Sequence, residues 1–195
     1  MKTYVATKND GKLAELREIF AESPFELAIY PAYGDVEEPE DNYPGNALIK
    51  ARALFAQLQA EGIHGAVLSD DSGIEVAALN GRPGVLSARY APGVSWPERL
   101  KTLLGEVGDA AGDRRAVKFV CAMALLLPDG RALEGYGEVH GQLTQAPAGS
   151  NGFGYDPVFF YPPIGKTFGE IPEAEKNRLS HRFAAAQALL SAYQR

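Results

Sequence analysis

The sequence predicts an α/β fold in which a mixed β-sheet is flanked by helices. Near the amino terminus, short apolar segments alternate with segments of helical periodicity, a pattern typical of α/β units. Later, two strand-like segments are separated by the turn tripeptide Pro128-Asp129-Gly130, which predicts an antiparallel hairpin. Parallel units and a hairpin together make the sheet mixed. With 195 residues and no repeats or linkers, residues 1–195 are expected to form a single domain.

The first half of the chain supplies two predicted strand–helix units. Residues 2–7 and 25–30 are strand-like, and helices are predicted over 11–20 and 45–60. Each helix carries an apolar stripe that should pack on the sheet. Lys50 lies off the stripe of the second helix, so its side chain is free to serve another purpose.

The remaining elements are predicted from apolar segments that turn residues bound. Residues 74–79 are expected to pair with the apolar segment 66–68, and Asn80-Gly81 indicates the turn that follows. The later elements are a short helix over 97–104, hairpin strands over 117–127 and 131–139, and a final helix that opens near Ser180.

Composition and charge argue against several classes of protein. The formal net charge of −6 disfavours nonspecific binding to nucleic acid, because phosphates require a basic surface. No apolar run approaches the roughly 18 residues that cross a bilayer, and the first residues do not resemble a signal peptide. We therefore expect a cytoplasmic protein without nucleic-acid or membrane partners. The single cysteine, Cys121, lies in an apolar strand and is expected to be buried and inert.

Two adjacent carboxylates form the most informative motif, Ser69-Asp70-Asp71-Ser72-Gly73. They stand where the apolar segment 66–68 runs out, and carboxylates beside such a segment are costly unless a cation or hydrogen bonds compensate. A hard divalent metal ion is the usual compensation. The alternative is a simple turn, in which the two acids are caps and Gly73 takes a positive φ. The motif alone leaves both interpretations open.

The loop after the first strand has the composition of an anion site. It reads Thr7-Lys8-Asn9-Asp10-Gly11-Lys12, and a helix follows at once. Backbone N–H groups, the positive end of the helix dipole and Lys12 would therefore face the same space. The Walker pattern is absent, and a Gly-Lys pair at a helix start is common, so this signal is weak by itself.

Two later loops and an acidic run also have unusual compositions. In 149–157, glycines alternate with aromatic residues, which would let the backbone approach a ligand and offer a flat face for a base. The loop 175–182 ends in His181 and Arg182, which could donate hydrogen bonds to a carbonyl group. The acidic run 35–41, with scattered basic residues elsewhere, is compatible with a metal-bound polyphosphate and equally with an ordinary solvated surface.

Five motifs, taken in order, resemble those of one family. They are Thr7-Lys8-Asn9 with Gly11-Lys12, Ser69-Asp70-Asp71-Ser72-Gly73, Ser87-Ala88-Arg89-Tyr90, Gly152-Phe153-Gly154-Tyr155-Asp156-Pro157-Val158-Phe159 and Ser180-His181-Arg182. Their order and spacing resemble the noncanonical purine NTP pyrophosphatases, the Ham1 or inosine triphosphate pyrophosphatase family. The resemblance covers the chain from Thr3 to Leu190. Five ordered motifs are far more specific than any one of them.

This resemblance implies an activity and an architecture. The activity is hydrolysis of ITP, dITP and XTP to the nucleoside monophosphate and pyrophosphate, with Mg²⁺ as cofactor and a small nucleotide as substrate. The architecture is a long twisted mixed β-sheet flanked by helices, with two lobes around an active-site cleft, and the enzyme is expected to be a homodimer.

The resemblance also implies roles for individual residues. Asp71 matches the catalytic carboxylate, and Glu38 matches its partner in holding Mg²⁺. Many relatives have Glu-Thr-Gly where this chain has Glu38-Pro39-Glu40, so Glu37 and Glu40 are alternatives to Glu38. The positions that match the phosphate-binding loop are Thr7, Lys8, Asn9, Asp10, Gly11 and Lys12. Lys50 matches a helix lysine that faces the polyphosphate, and Ser72 matches a substrate contact. The positions that match contacts with the nucleoside are Phe153, Gly154, Tyr155, Asp156, Lys176, His181 and Arg182.

The chemistry of this reaction suits those residue types. A carboxylate beside a metal ion can activate water for attack on the α-phosphorus, so Asp71 is the expected general base. Asp70 would be its orienting partner or a second metal ligand. Hypoxanthine and xanthine present a 6-oxo acceptor where adenine has an amino donor, so a donor from His181, Arg182 or a loop N–H would favour the former.

Two functions of other classes are weighed against this one. A phosphatase that forms an aspartyl phosphate needs Asp-x-Asp at the end of the first strand, where this chain has Ala6-Thr7-Lys8-Asn9. A nucleotide sensor without catalysis would keep the glycine loop and the lysines but would not need paired carboxylates. Neither alternative would release pyrophosphate.

Overall fold

The computed structural model describes residues 1–34 and 36–195. Asp35, the first residue of the predicted acidic run, lies outside the described residues. Within those two ranges, no helix combines the length and the apolar composition that a membrane crossing requires.

A seven-stranded mixed sheet forms the centre of the fold, with the strand order β2-β1-β3-β4-β5-β6-β7. The strands are β1 (Lys2–Val5), β2 (Glu26–Ile29), β3 (Ala66–Val76), β4 (Ala116–Leu126), β5 (Ala132–Leu143), β6 (Phe159–Tyr161) and β7 (Lys166–Thr167). β1 pairs in parallel with β2 and β3, whereas β5 with β6 and β6 with β7 are antiparallel pairs. The predicted mixed sheet is therefore confirmed.

The described residues form five α-helices, of which all but the fourth were predicted from the sequence. They are α1 (Asp10–Ile19), α2 (Tyr43–Ala60), α3 (Trp96–Val107), α4 (Glu173–Asn177) and α5 (His181–Tyr193), with 3-10 helices at Ala77–Leu79, Gly84–Arg89, Gly112–Arg115, Asp156–Val158 and Phe168–Glu170. α2 starts two residues before the predicted helix because Asn42 caps it, accepting a hydrogen bond from the backbone of Gly45, and Pro44 occupies its first turn.

The predicted end of the strand before Asp70 is wrong. β3 runs without interruption from Ala66 to Val76 and carries both carboxylates in its middle. The predicted pairing of residues 74–79 with 66–68 is therefore also wrong, since the first part of 74–79 continues the same strand and Ala77–Leu79 is a 3-10 helix. Asp70 and Asp71 are 1% and 5% exposed, so they lie inside the sheet rather than in a turn. The strand tolerates them because each carboxylate meets cations or hydrogen-bond donors on its own side, as described below.

The chain divides into two compact units. The first comprises Met1–Asp71, Cys121–Gly137 and His181–Arg195, and the second comprises Ser72–Val120 and Glu138–Ser180. The core of the first unit is built mainly from aliphatic side chains on β1, β3, β4, α1 and α5, and it includes Cys121, which is fully buried as predicted. The core of the second unit centres on the stacked rings of Phe119, Phe159 and Phe168. The cleft that the sequence suggested stays a prediction.

Two glycines of β5 allow the backbone of α5 to approach the sheet closely. A Cβ atom on Gly135 would lie 2.2 Å from the carbonyl oxygen of Ala185, and one on Gly137 would lie 2.4 Å from that of His181. Both distances are far below van der Waals contact, and both obstacles are backbone atoms. The position of α5, and with it the start of the helix at His181, therefore depends on these glycines.

Replacing Gly135 with alanine should push α5 away from β5. We expect Gly135→Ala to lower the free energy of unfolding by about 1–3 kcal/mol, the cost typical of an overpacked site. Urea titration measures the change. Gly105→Ala is the matched control, because a Cβ there meets nothing within 4 Å inside α3 and should leave stability unchanged or raise it by up to about 1 kcal/mol. Equal stability of the two variants would contradict the close approach.

Candidate active site

Consecutive positions on β3 place the two carboxylates on opposite faces of the sheet. Successive side chains of a strand alternate between faces, so the side chains of Asp70 and Asp71 leave β3 in opposite directions. Asp70 contacts Lys12 of α1 and Arg182 of α5, whereas Asp71 contacts Asn46 and Lys50 of α2. The two carboxylates therefore have different nearest partners, although the charges of Lys12 and Lys50 act on both of them.

On the first face, Asp70 belongs to a buried network of four charged side chains. Its Oδ2 atom lies 3.0 Å from Lys12 Nζ and 3.2 Å from Arg182 Nη2. Arg182 Nη1 donates in turn to Glu15 Oε2 at 2.6 Å. Burial opposes ionisation of Asp70, but the charges of Lys12 and Arg182 prevail and hold its pKa well below the usual range. Asp70 is thus a permanent anion that fixes two cations.

On the second face, Asp71 lies among groups of α2. Asn46 Nδ2 donates to its Oδ2 atom at 3.2 Å, and Lys50 Nζ lies 3.7 Å from its Oδ1 atom. Burial raises the pKa of Asp71 above its ordinary value, while the charge of Lys50 opposes that rise. A carboxylate with a raised pKa is suited to accepting a proton.

Asn46, which the sequence analysis missed, connects Asp71 to the acidic loop. Its Oδ1 atom accepts from the backbone N–H of Glu40 at 3.1 Å, and its Nδ2 atom donates to the carbonyl oxygen of the same residue at 3.1 Å. Asn46 is 1% exposed. The available signal was its position four residues before Lys50, which puts both on one face of α2.

Glu38 is the acid of the predicted loop whose carboxylate reaches this group. Its Oε1 atom lies 2.6 Å from Lys50 Nζ, which also approaches Asp71. Glu37 and Glu40, the alternatives, are exposed. Two carboxylates thus converge on one cationic group.

This donor set fits Mg²⁺, although no group of three or more His, Cys, Asp or Glu side chains lies at metal-binding geometry within 1–34 and 36–195. Mg²⁺ usually keeps several waters and takes only one or two carboxylates together with substrate phosphate oxygens. Glu38 and Asp71 supply that number. The ammonium group of Lys50 lies close to both carboxylates, so the two carboxylates already stabilise a positive charge at this position.

The first loop has the predicted form of a helix start. Asn9 caps α1, accepting from the backbone N–H of Lys12 at 3.0 Å, and Thr7 Oγ1 accepts from the backbone N–H of Asn9 at 3.2 Å. Lys8 and Asp10 are exposed. The side chain of Lys12 is held against Asp70, so its position depends on the buried network.

In the second unit, the glycine and aromatic loop is organised around Asp156. Its Oδ2 atom accepts from the backbone N–H of Phe153 at 2.9 Å and from Lys176 Nζ at 3.2 Å. Lys176 Nζ also lies 5.1 Å from the centre of the Phe153 ring, a cation–π contact. Gly152 has a φ of +71°, and a Cβ on it would lie 2.1 Å from Asp156 Oδ2. The turn therefore requires glycine.

Tyr155, on the same loop, points into the second unit. It is 5% exposed, and its hydroxyl donates to the carbonyl oxygen of Ser87 at 2.8 Å. Burial raises the pKa of Tyr155 to about 12. The ring meets Trp96 edge to face at a centroid distance of 5.3 Å. Phe153 is the more accessible of the two aromatic residues.

The predicted site residues fall into two groups by unit. The first unit holds Thr7, Lys8, Asn9, Asp10, Gly11, Lys12, Glu38, Lys50, Asp70, Asp71, His181 and Arg182, and the second holds Ser72, Phe153, Gly154, Tyr155, Asp156 and Lys176. Arg182 differs most from expectation. It is 1% exposed, and Nε, Nη1 and Nη2 all donate to Asp70 or Glu15, because it lies on the inward face of α5.

Comparisons with known proteins agree with this fold. The sequence profile of the Ham1 family matches residues 3–192. The dITP/XTP pyrophosphatase of Halalkalibacterium halodurans is 41% identical over 189 residues and 95% of each chain, and one from Thermus thermophilus is 42% identical over 99% of this chain and 92% of its own. The structure of a HAM1 protein from Coxiella burnetii superposes with a TM-score of 0.87 at 34% identity, covering 100% of this chain and 98% of its own.

The carboxylate of Glu15 should be essential to the stability of the buried network. Glu15→Gln keeps the shape of the side chain but leaves Arg182 with less negative charge around it. We expect the free energy of unfolding to fall by about 3 kcal/mol, since a buried ion pair that loses one partner is strongly destabilised. Urea titration at pH 7 measures this. Glu18→Gln, at an exposed position of α1, should change stability by less than about 0.5 kcal/mol, and a similar loss in both variants would contradict the role of Glu15.

Proposed function

Because the chain belongs to the Ham1 family, we propose that it hydrolyses noncanonical purine nucleoside triphosphates, namely ITP, dITP and XTP, to the monophosphate and pyrophosphate. Its relatives named dITP/XTP pyrophosphatases match it over almost the whole chain. The observation that carries the proposal is the group at Asp71, a buried carboxylate of raised pKa beside Lys50, with Glu38 on the same lysine. The reaction would remove these nucleotides from the cellular pool.

Glu38 and Asp71 are the residues proposed to hold Mg²⁺. When bound, Mg²⁺ supplies positive charge that neutralises phosphate oxygens and favours ionisation of bound water. With two protein carboxylates as ligands, the other coordination positions of Mg²⁺ would be taken by water and phosphate oxygens, which is the ligand set that this cation prefers.

Asp71 is proposed as the general base for the attacking water. Its carboxylate takes the proton as the water oxygen forms a bond to the α-phosphorus and the bond to the leaving pyrophosphate breaks. Asn46 holds Oδ2 of Asp71 through an N–H donor, so Oδ1 is directed toward the side of Lys50. Oδ1 is therefore the oxygen proposed to accept the proton.

Lys12, Lys50 and the loop from Thr7 to Gly11 are proposed to bind the polyphosphate. Backbone N–H groups at the start of α1 and two ammonium groups suit a polyanion, and they can stabilise the charge that develops on pyrophosphate. The sequence suggested two roles for Asp70, an orienting partner of Asp71 or a second metal ligand. The orienting role is the one proposed, because Asp70 already binds Lys12 and Arg182 on the face opposite Asp71.

The nucleoside is proposed to contact Ser72, His181 and the loop from Phe153 to Asp156, with Lys176. Phe153 offers a ring to the base, and Lys176 is placed by Asp156. His181 is the proposed donor to the 6-oxo group, and Arg182 contributes by fixing the start of α5 through its carboxylate partners. Discrimination against adenine then follows from a donor that adenine would leave unpaired.

A homodimer in the cytoplasm completes the proposal. The homodimer comes from the family resemblance, and light scattering checks it. The cytoplasmic location comes from the sequence, whose first residues do not resemble a signal peptide, and cell fractionation checks it.

Product analysis tests the proposed reaction directly. The purified protein is incubated with Mg²⁺ and ITP, dITP, XTP, GTP or ATP, and pyrophosphate is distinguished from orthophosphate. We expect monophosphate and pyrophosphate from the first three nucleotides only, and no turnover after a chelator removes the metal. Orthophosphate as the product would instead support a phosphatase. Binding without turnover would support a nucleotide sensor.

Asp71→Asn should abolish turnover while nucleotide still binds. Loss of a general base costs about 10²–10⁴-fold in kcat. Equilibrium dialysis with ITP supplies the binding control, and Lys12 and Lys50 remain in place for it. Retained turnover in this variant would exclude Asp71 as the base.

The acid limb of the pH–rate profile should report the ionisation of Asp71. Activity requires the anionic carboxylate, so kcat/KM should rise with pH through its pKa. Lys50 lowers that pKa, and Lys50→Met should therefore move the limb to higher pH, besides lowering the overall rate. The exposed Lys101 provides the control Lys101→Met, for which the limb should stay in place. A limb at the same pH in Lys50→Met would show that another group titrates.

A further inference from the structure

The motif Ser87-Ala88-Arg89-Tyr90 has no role in the proposed mechanism, although Ser87 is 4% exposed and makes several hydrogen bonds. It lies in the 3-10 helix Gly84–Arg89, which we call the anchor segment. We propose that the anchor segment positions the loop from Phe153 to Asp156, with the hydroxyl of Tyr155 as its point of attachment. Ser87 and Tyr155 are then positioning residues for nucleotide selection, and this inference rests on the proposed function.

One side of the anchor segment is fixed to β3. The backbone N–H of Ile74 donates to Ser87 Oγ at 2.8 Å, and Ser87 Oγ donates to the carbonyl oxygen of Gly84 at 2.6 Å. A serine hydroxyl can donate once and accept at the same time, so both bonds form together. Ile74 is fully buried and belongs to the strand that also carries Asp71. The anchor segment therefore has a fixed reference in the sheet.

The other side of the anchor segment holds the loop. Tyr155 donates its hydroxyl to the carbonyl oxygen of Ser87 at 2.8 Å, and both residues are buried. Ser87 thus links Ile74 of β3 to Tyr155 of the loop through its side chain and its carbonyl group. The role of Tyr155 is therefore to attach the loop and not to stack on a base, because its hydroxyl donates to a buried carbonyl group.

Trp96 and Arg99 of α3 close the outer side of this attachment. Arg99 Nη1 donates to the carbonyl oxygen of Ala88 at 2.8 Å, and its guanidinium lies 4.5 Å from the centre of the Trp96 ring. The Trp96 ring meets the Tyr155 ring edge to face, and a Cβ on Gly154 would touch it at 3.5 Å. Two successive carbonyl groups, of Ser87 and Ala88, therefore bind the loop and the helix that covers it.

This attachment lies between the two loop residues proposed to act on the nucleotide. Phe153 and Asp156 flank Tyr155, and the backbone N–H of Phe153 donates to Asp156. A loop with glycines at positions 152 and 154 has little intrinsic rigidity. Fixing its middle reduces the conformations that a bound nucleotide must exclude, so the attachment should act on binding more than on the chemical step.

The test compares three conservative variants of the whole protein. Tyr155→Phe keeps the ring and removes the attachment, and Ser87→Ala removes the side-chain contact with β3. Tyr90→Phe is the matched control, because it removes a tyrosine hydroxyl bonded to Glu106 at 2.7 Å next to the anchor segment. Hydrogen exchange of the amides of Phe153 and Asp156 is measured without nucleotide, and kcat and KM are measured with ITP.

We expect exchange in the loop to accelerate by about tenfold in Tyr155→Phe and Ser87→Ala, the factor typical of one lost buried hydrogen bond. KM for ITP should rise by about tenfold with kcat within about twofold, because a positioning effect falls on binding. Tyr90→Phe should match the wild type in both measurements.

Unchanged loop exchange in Tyr155→Phe would overturn the attachment, and faster exchange with an unchanged KM would overturn the positioning role. A change confined to kcat would also overturn it. Failure of the proposed function is seen separately, as absence of pyrophosphate release by the wild type, and the exchange measurement still decides whether the attachment exists.

Discussion

Two buried carboxylates in succession on one strand form the constraint on which this structure depends. A carboxylate inside a sheet must be paired or neutralised, since its charge is costly in a medium of low dielectric constant. Strand geometry sends Asp70 and Asp71 to opposite faces, so their nearest partners differ, although the charges of Lys12 and Lys50 act on both carboxylates. The surrounding helices therefore bring polar and cationic groups to both carboxylates.

The helices meet this requirement in different ways. On the face of Asp70, α1 brings Lys12 and Glu15 and α5 brings Arg182, so every charge of that network is compensated by a neighbour. On the face of Asp71, α2 brings Asn46 and Lys50, and Glu38 shares the lysine. In the first arrangement Asp70, Glu15 and Arg182 are almost fully buried, whereas the side chain of Lys12 is 15% exposed. In the second, the side chains of Lys50 and Glu38 are 11% and 21% exposed, so each arrangement has a partly exposed lysine.

Much of the fold could be predicted from local patterns, because periodicity and turn residues determine where helices and hairpins form. The hairpin of β4 and β5 and the limits of α1 are examples, whereas α3 extends three residues beyond its predicted end at Leu104. The continuity of β3 could not be predicted from local patterns. Acidic residues are disfavoured in strands, and the partners of Asp70 and Asp71 come from residues far away in the sequence. Glu15 was missed for a similar reason. It lies between Leu13 and Leu16 on α1 and resembles a solvated residue until Arg182, far along the chain, is placed against it.

The environments of Asp70 and Asp71 also explain how identical side chains can have different pKa values. The charges of Lys12 and Arg182 lower the pKa of Asp70, whereas burial raises that of Asp71. A carboxylate whose pKa is lowered stays ionised and is a weak base, whereas one whose pKa is raised is better suited to accepting a proton. Exchanging the two environments would require moving α1, α2 and α5 together. The difference between the two pKa values therefore follows from the direction in which each side chain leaves the strand.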